Sequence, residues 1–287
     1  MKVLVLGGGQ IARAVAKAAP SEHEIVSRTR AELDIVDAHA VSRTFAEVRP
    51  DWVVNAAAYT AVDLAEDQPA QAIAVNDTAV ASLARASERE RCRLLHLSTD
   101  FVFDGNSSRA YLTTDRTNPL SVYGASKLGG ERHVLTPGGS GIVLRTSWVY
   151  AAEGKNFVLT MLLLMREKDQ ISVVCDQIGT PTSAASAAEA IWGLMDANAA
   201  AGIYHWTDLG VASWYDFAVA IQDEALARGL LPKSIPIRAI SSASYPTRAR
   251  RPAFSVLDTA STRSLLNSSG RHWRHNLRTL LDEVRTA

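Results

Sequence analysis

Lys2-Val3-Leu4-Val5-Leu6-Gly7-Gly8-Gly9-Gln10-Ile11-Ala12 is the stretch that decides the fold. Its first half is continuously apolar, the signature of a strand buried on both faces in a parallel sheet. Three glycines follow at once, and then an alanine-rich helical stretch over residues 11–19. Read as G-x-G-x-x-A, the turn uses Gly7 for its tight bend and Gly9 for close backbone approach to a pyrophosphate. Ala12 lets the helix pack closely on the sheet. Gln10 and Ile11 open that helix, whose free N–H groups and positive dipole end suit phosphate oxygens.

The same rhythm runs outward. Strands are predicted over residues 24–27, 51–55, 94–98 and 141–146, with helices over 38–48, 70–90 and 123–135 between them. Strand–helix alternation with apolar strands implies an α/β, Rossmann-type, doubly wound parallel sheet, with ligands at the carboxyl ends of its strands. Residues 1–146 form the expected nucleotide-binding domain, with segments near 170–196 and 233–252 returning to it. Residues 147–287, with helices over 156–168, 184–198 and 214–228 and a proline-rich last quarter, form a smaller substrate-binding α/β domain.

The end of the second strand bears on cofactor choice. A carboxylate there binds a ribose 2′-hydroxyl, whereas arginine suits a 2′-phosphate. Ser27-Arg28-Thr29-Arg30 offers Arg28 and no carboxylate at that point, which favours NADPH or use of both NADPH and NADH.

Composition narrows the class. The 287 residues are 47% hydrophobic and 21% charged with a formal net charge of zero, so no global field draws nucleic acid or an anionic membrane. No run of 18 apolar residues is present, and the apolar run after Lys2 is too short for a signal core. Cys92 and Cys175 show no metal-ligand spacing and read as two buried free thiols in a reducing, cytoplasmic setting.

Tyr123-Gly124-Ala125-Ser126-Lys127 places a phenol and an ammonium at i and i+4, on one helix face. The ammonium can lower the phenol pKa and hold a ribose, leaving Tyr123 a general acid. Alone the pair is weak. Ser98-Thr99-Asp100 adds a hydroxyl at the carboxyl end of a predicted strand, where it can polarise a carbonyl. Glycine turn, strand-end hydroxyl and Tyr-x-x-x-Lys, in that order, read as an NAD(P)H-dependent reductase of the extended short-chain type.

Longer stretches carry a closer resemblance. Val54-Asn55-Ala56-Ala57-Ala58-Tyr59-Thr60, Ser98 through Gly105, Val122 through Lys127, Arg145 through Tyr150, Asp176 through Thr182, Trp214 through Ala218 and Ala249-Arg250-Arg251-Pro252 resemble the dTDP-4-dehydrorhamnose reductase family, from the first strand to about residue 285. The resemblance implies reduction of the 4-keto group of a dTDP-linked 6-deoxyhexulose to dTDP-L-rhamnose. Thr99 would polarise the carbonyl, Tyr123 donate the proton, and Lys127 support the phenol and the ribose. It also implies adenine-side contacts from Asp34 and Ile35, and cofactor contacts along Ala56, Ala57, Ala58 and Tyr59. Sugar-nucleotide contacts would come from Ser98, Asp100, Val102, Phe103, Asn156 and Trp148, with Arg250 and Arg251 clamping the diphosphate.

Two departures stand out. The family's G-x-x-G-Q-x-G turn is one residue shorter here and ends at Ala12. Some members form a magnesium-linked dimer through a first-helix glutamate; Ala14 stands there, so no magnesium is expected, and a monomer or weak homodimer is. Asp100 is followed by Phe101 instead of the glutamate of the related dehydratases. Two alternatives stay open: another dTDP-4-keto-6-deoxysugar 4-ketoreductase, and a non-catalytic regulatory subunit of the methionine adenosyltransferase type.

Overall fold

Six parallel strands build the central sheet: β1 (Lys2–Leu6), β2 (Glu24–Arg28), β3 (Trp52–Asn55), β4 (Arg93–Thr99), β5 (Ile142–Thr146) and β6 (Gly202–His205), in the order 2-1-3-4-5-6. The structure, a computed structural model, describes residues 1–136 and 138–284. The strand order reverses between β1 and β3, so their carboxyl ends flank the crevice where doubly wound sheets take ligands. β1, β3, β4 and β5 are buried almost throughout, as their unbroken apolar runs require. The fold class is the one the sequence predicts. The sixth strand is an addition, too short and too exposed to stand out as an apolar run.

Helices cover both faces. Helix α1 (Gln10–Lys17) and the helix Ala184–Asp196 bury Ala12, Val15, Ile191 and Trp192 on one side. On the other side Ala38–Val48 and Ala79–Glu90 contribute Val41, Phe45, Val80 and Leu83 to a second layer. The helix predicted over 70–90 is broken into Pro69–Ile73, a π-turn Ala74–Thr78 and Ala79–Glu90. The π-turn buries Asn76, whose amide accepts from the Tyr59 amide (2.9 Å) and donates to the Tyr59 carbonyl and to Ser126 Oγ (both 3.0 Å). The irregular turn is thus the means of tying the loop after β3 to the helix carrying Tyr123.

A separate core lies C-terminal to β5. Phe157–Glu167 and Trp214–Ala227 pack with Trp273–Glu283 around Phe217, Met165, Ile221 and Leu277. Ile171–Val174 pairs in parallel with Ile237–Ile240, and Ile171, Val173 and Ile235 face this core. Of the segments expected to return to the sheet, residues 184–196 pack on it, whereas 171–174 and 237–240 pair with each other. Ile171, Val173 and Ile237 pack on the second core, which holds this pair away from the first sheet. Cys92 is buried, but Cys175 is exposed: it follows the short strand Ile171–Val174 at its open end. No helix among the described residues is long and apolar enough to cross a membrane.

Candidate active site

Gly7 turns the chain at the end of β1 with φ +114°, a conformation that strains any residue with a side chain, and a Cβ there would stand 2.9 Å from the Ala57 amide nitrogen. Gly9 then caps α1 in extended conformation without a side-chain partner, and a Cβ built on it meets nothing within 4 Å. The first-turn N–H groups of an eight-residue helix therefore open on free space, the cradle a pyrophosphate needs. Ala12 is packed in the core, where a longer side chain would push the helix off the sheet. The shorter glycine turn is compatible with a dinucleotide.

That space belongs to a cleft of about 890 Å³ between the carboxyl ends of the central strands and the second core. Gly9, Gln10, Ile11, Ala56 and Ala58 line one end; Thr99, Tyr123 and Lys127 line its middle. Thr99 ends β4 and caps the short turn that follows, accepting from the Phe101 amide at 3.2 Å and donating to Asp100 Oδ1 at 3.0 Å. Tyr123 rides in the first turn of Val122–Val134, which Ser121 caps by accepting from the Gly124 amide. Gly124 is required there: a Cβ would overlap the Phe101 carbonyl oxygen, a backbone atom that cannot easily give way.

Burial pushes the Tyr123 phenol up to about 12, with Asp100 adding to the rise and Thr99 opposing it. The phenol is thus firmly protonated, as a proton donor must be. The expected lowering by Lys127 is not part of this balance. Lys127 Nζ instead donates to the Leu97 carbonyl at 2.6 Å and meets His96 Nε2 at 3.2 Å. Burial brings its pKa down to about 8, against the pull of Glu131. Asp100 is buried and pushed up to about 6 by that burial, with Ser255 and Thr99 opposing.

Other expected residues separate. Ser98 borders the cleft, but its hydroxyl is committed to Glu131 at 2.5 Å. Val102 and Phe103 do not reach the cleft: the turn after Thr99 points them into a small core where Phe103 stacks on Tyr111 at 4.1 Å. Asn156 serves structure, capping Phe157–Glu167 and donating to Gln10 Oε1 at 3.0 Å. Asp34 pairs with Arg30, while Ile35 is buried beside Leu33. Arg28 donates to the Ser27 carbonyl beside it, and Tyr59 Oη donates to Gln68 Oε1. Arg251 lines the cleft and pairs with Asp63 at 2.7 Å, whereas Arg250 is exposed outside it.

Trp148 lines the far end in a left-handed conformation (φ +47°), costly for an aromatic residue. It is held by a 3.6 Å stack on Trp214 at 6° and by Gly179, where a Cβ would lie 2.6 Å from the indole. Trp214 and Thr146, the register partner of Thr99, also line the cleft and were not singled out as site residues from sequence. Glu32, also passed over, accepts from the Thr29 amide and hydroxyl (2.8 Å each) and locks the turn after β2.

A parallel sheet opening a dinucleotide turn toward a Tyr–Lys helix is the layout of the short-chain dehydrogenases/reductases, and the second core over the cleft is that of their extended branch. Residues 1–286 match the RmlD substrate binding domain family. The chain is 40% identical over 287 residues to a dTDP-4-dehydrorhamnose reductase of Aggregatibacter actinomycetemcomitans, covering 97% of this chain and 98% of that one. A crystal structure of a dTDP-4-dehydrorhamnose reductase from Clostridium acetobutylicum superposes with a TM-score of 0.93 at 34% identity, covering 99% of each chain. The Bacillus anthracis dTDP-4-dehydrorhamnose reductase, solved in complex with NADP, gives a TM-score of 0.92 at 31% identity over 98% of this chain and 99% of that one. The chain belongs to the dTDP-4-dehydrorhamnose reductase family.

Proposed function

We propose that this chain reduces the 4-keto group of dTDP-4-dehydro-6-deoxy-L-mannose to dTDP-L-rhamnose, using NADPH or NADH. The observation that carries the reading is that Thr99, at the end of β4, Tyr123 and Lys127 line the same cleft as Gly9, Gln10 and Ile11 at the open first turn of α1. Gly7, Gly9, Gln10 and Ile11 would hold the pyrophosphate, Ala56 to Ala58 would border the cofactor, and Lys127 would hold the nicotinamide ribose. The bound dihydronicotinamide supplies the hydride that C4 receives. Thr99 Oγ1, turning its one proton away from Asp100 Oδ1, donates to the C4 oxygen as it gains charge. Tyr123 Oη gives that oxygen its proton, completing the alcohol; before that step burial, with Asp100 adding to it, keeps the phenol protonated.

On this reading residues 1–146 serve the nucleotide cofactor and residues 147–287 mainly the sugar nucleotide, with Trp148 and Trp214 walling the sugar end and Arg251 meeting the diphosphate. Arg28 at the end of β2 favours NADPH. The enzyme acts as a monomer or weak homodimer, and the exposed thiol of Cys175 suits the reducing cytoplasm.

The test is oxidation of NADPH by the purified protein with dTDP-4-dehydro-6-deoxy-L-mannose, the product being compared with authentic dTDP-L-rhamnose. No oxidation by folded protein removes the enzyme reading. A product epimeric at C4 makes it a different 4-ketoreductase.

A further inference from the structure

Asn55 ends β3 and His96 lies in β4, both fully buried directly behind the catalytic helix. The proposed reaction uses neither. Asn55 Oδ1 accepts from the Ala57 amide at 3.2 Å, which leaves its Nδ2 as the atom facing His96 Nδ1 at 3.0 Å. An amide nitrogen can only donate, so His96 Nδ1 must accept. With Nδ1 accepting, the imidazole cannot carry both protons and is neutral; burial, which holds it well below its ordinary pKa, agrees. A neutral imidazole with an accepting Nδ1 carries its proton on Nε2. That N–H faces Lys127 Nζ at 3.2 Å. An ammonium has no lone pair to receive it. A neutral amine does, and can still donate to the Leu97 carbonyl at 2.6 Å.

We propose that Asn55 and His96 are positioning residues for the catalytic lysine: they aim an N–H at Lys127 Nζ and hold it toward the neutral amine in the free protein. The proposal rests on Lys127 being the active-site lysine. Charging Lys127 then requires His96 to move its proton to Nδ1, and Asn55 to turn its oxygen there and release the Ala57 amide. Ala57 packs on the glycine turn, its nitrogen 2.9 Å from where a Gly7 Cβ would stand. The lysine's charge and the seating of the cofactor loop are linked, and linkage is reciprocal.

The other groups around Lys127 do not decide its charge in the same way. Glu131, one turn along its own helix, is shared between Ser98 and Arg145 of β5. Asp77 of the π-turn is turned to His133 at 2.6 Å. Asp100 faces Thr99, and Tyr123 is protonated. The low lysine value, about 8, agrees in direction with the hydrogen-bond argument.

Asn55→Asp tests the device with an isosteric side chain. One carboxylate oxygen keeps the Ala57 contact, and the other can only accept, so His96 must protonate Nδ1 and offer Nε2 as an acceptor to a charged lysine. The full-length protein, labelled with 13Cε-lysine and 15N-imidazole, is titrated by NMR without substrate; Lys127 is the signal lost in Lys127→Arg. In the wild type Lys127 titrates well below the other lysines, with His96 as Nε2–H on the alkaline side of that midpoint. In Asn55→Asp the midpoint rises by about one pH unit or more, a tenfold or greater gain in proton affinity, and His96 becomes Nδ1–H. A wild-type His96 protonated on Nδ1 there, or an unmoved midpoint in Asn55→Asp, overturns the proposal. A merely structural Asn55 would alter stability without moving the lysine. If Asn55→Asp does not fold, the wild-type tautomer still decides. None of these readings needs the sugar, so a failure of the proposed reduction is seen separately in the turnover assay.

Discussion

Glu131 and Arg145 form a two-point ion pair inside the protein, with Nε to Oε1 at 2.9 Å and Nη2 to Oε2 at 2.6 Å, both side chains almost wholly buried. The pair sits behind the catalytic strand: Ser98 donates to Glu131 Oε1, and Arg145 Nη1 reaches His205 Nε2 at 3.4 Å. Its desolvation cost is large, so it adds little over an apolar pair, but losing one partner strands a buried charge. Glu131→Gln is expected to lose about 3–5 kcal/mol in urea unfolding. The double variant Glu131→Leu with Arg145→Met is expected to recover much of that. A loss below about 1 kcal/mol in Glu131→Gln would mean water or another group compensates the guanidinium.

The glycine turn separates a folding role from a binding role. Gly7→Ala forces a side chain into a positive-φ turn against the Ala57 amide, so it lowers the melting temperature as well as cofactor affinity. Gly9→Ala meets no protein atom, so the fold is unchanged; its methyl instead enters the cleft beside the open turn of α1. The expected result is an unaltered melting temperature for the apoprotein, with NADPH affinity weakened about tenfold or more, roughly 1.4 kcal/mol. Calorimetric titration of NADPH checks it, and unchanged affinity would move the pyrophosphate away from Gly9.

Tyr123→Phe removes the proposed proton donor but keeps the ring, which packs edge-on to Phe101 at 5.7 Å. Turnover is expected to fall by about 10²- to 10⁴-fold, with NADPH binding nearly intact. Single-turnover rates and cofactor titration separate the two, and near-normal turnover would assign the acid elsewhere.

What was legible in the sequence was local. The glycine turn, the first five strands and the Tyr123–Lys127 pair each announce themselves within a few residues, through apolar runs between turn signals or an i,i+4 spacing. The supports are long-range: Glu131 meets Ser98 across 33 residues, and His96 meets Asn55 across 41. Polar residues inside apolar strands, such as His96 in Leu94-Leu95-His96-Leu97 and Arg145 in Val143-Leu144-Arg145, were the available signal, since a buried polar group must find a partner. Val102 and Phe103 lie in a stretch resembling a substrate site, yet the short turn after Thr99 aims them into a core, a direction no motif encodes. Arg250 and Arg251 are adjacent, and only the position of Asp63 across the fold tells them apart.

That difference is measurable. Arg251 lines the cleft, paired with Asp63, whereas Arg250 is exposed outside it. A charge-assisted contact to a diphosphate contributes about 1.5–3 kcal/mol. Arg251→Ala is therefore expected to raise KM for the sugar nucleotide about 10- to 100-fold with a smaller change in kcat. Arg250→Ala should stay within about threefold. Equal effects would restore Arg250 to the diphosphate.

Stability in acid turns on buried groups of opposite sign: the imidazoles of His96 and His205, held neutral, and the carboxyls of Asp100 and Asp208, pushed up by burial. Burial, aided by Arg145, holds His205 down to about 3 against an ordinary 6.5. The stability from its neutral form is complete above 6.5 and drains as pH falls through 3. Burial raises Asp100 from 3.8 to about 6, so its contribution is present below 3.8 and lost as pH rises through 6. Going down from pH 6 to 4, the gains at Asp100 and Asp208 oppose the losses at His96 and His205. Below that only loss continues, joined by the lowered carboxyls of Asp104, Asp115 and Asp176. Wild-type unfolding free energy should therefore change less from pH 6 to 4 than below pH 4, where it falls. Asp100→Asn removes one compensating carboxyl, so from pH 6 to 4 its stability should drop by about 3 kcal/mol more than that of the wild type. Urea melts of both proteins across this range provide the measurement, and parallel pH profiles would show that Asp100 keeps an ordinary carboxyl pKa in the folded chain.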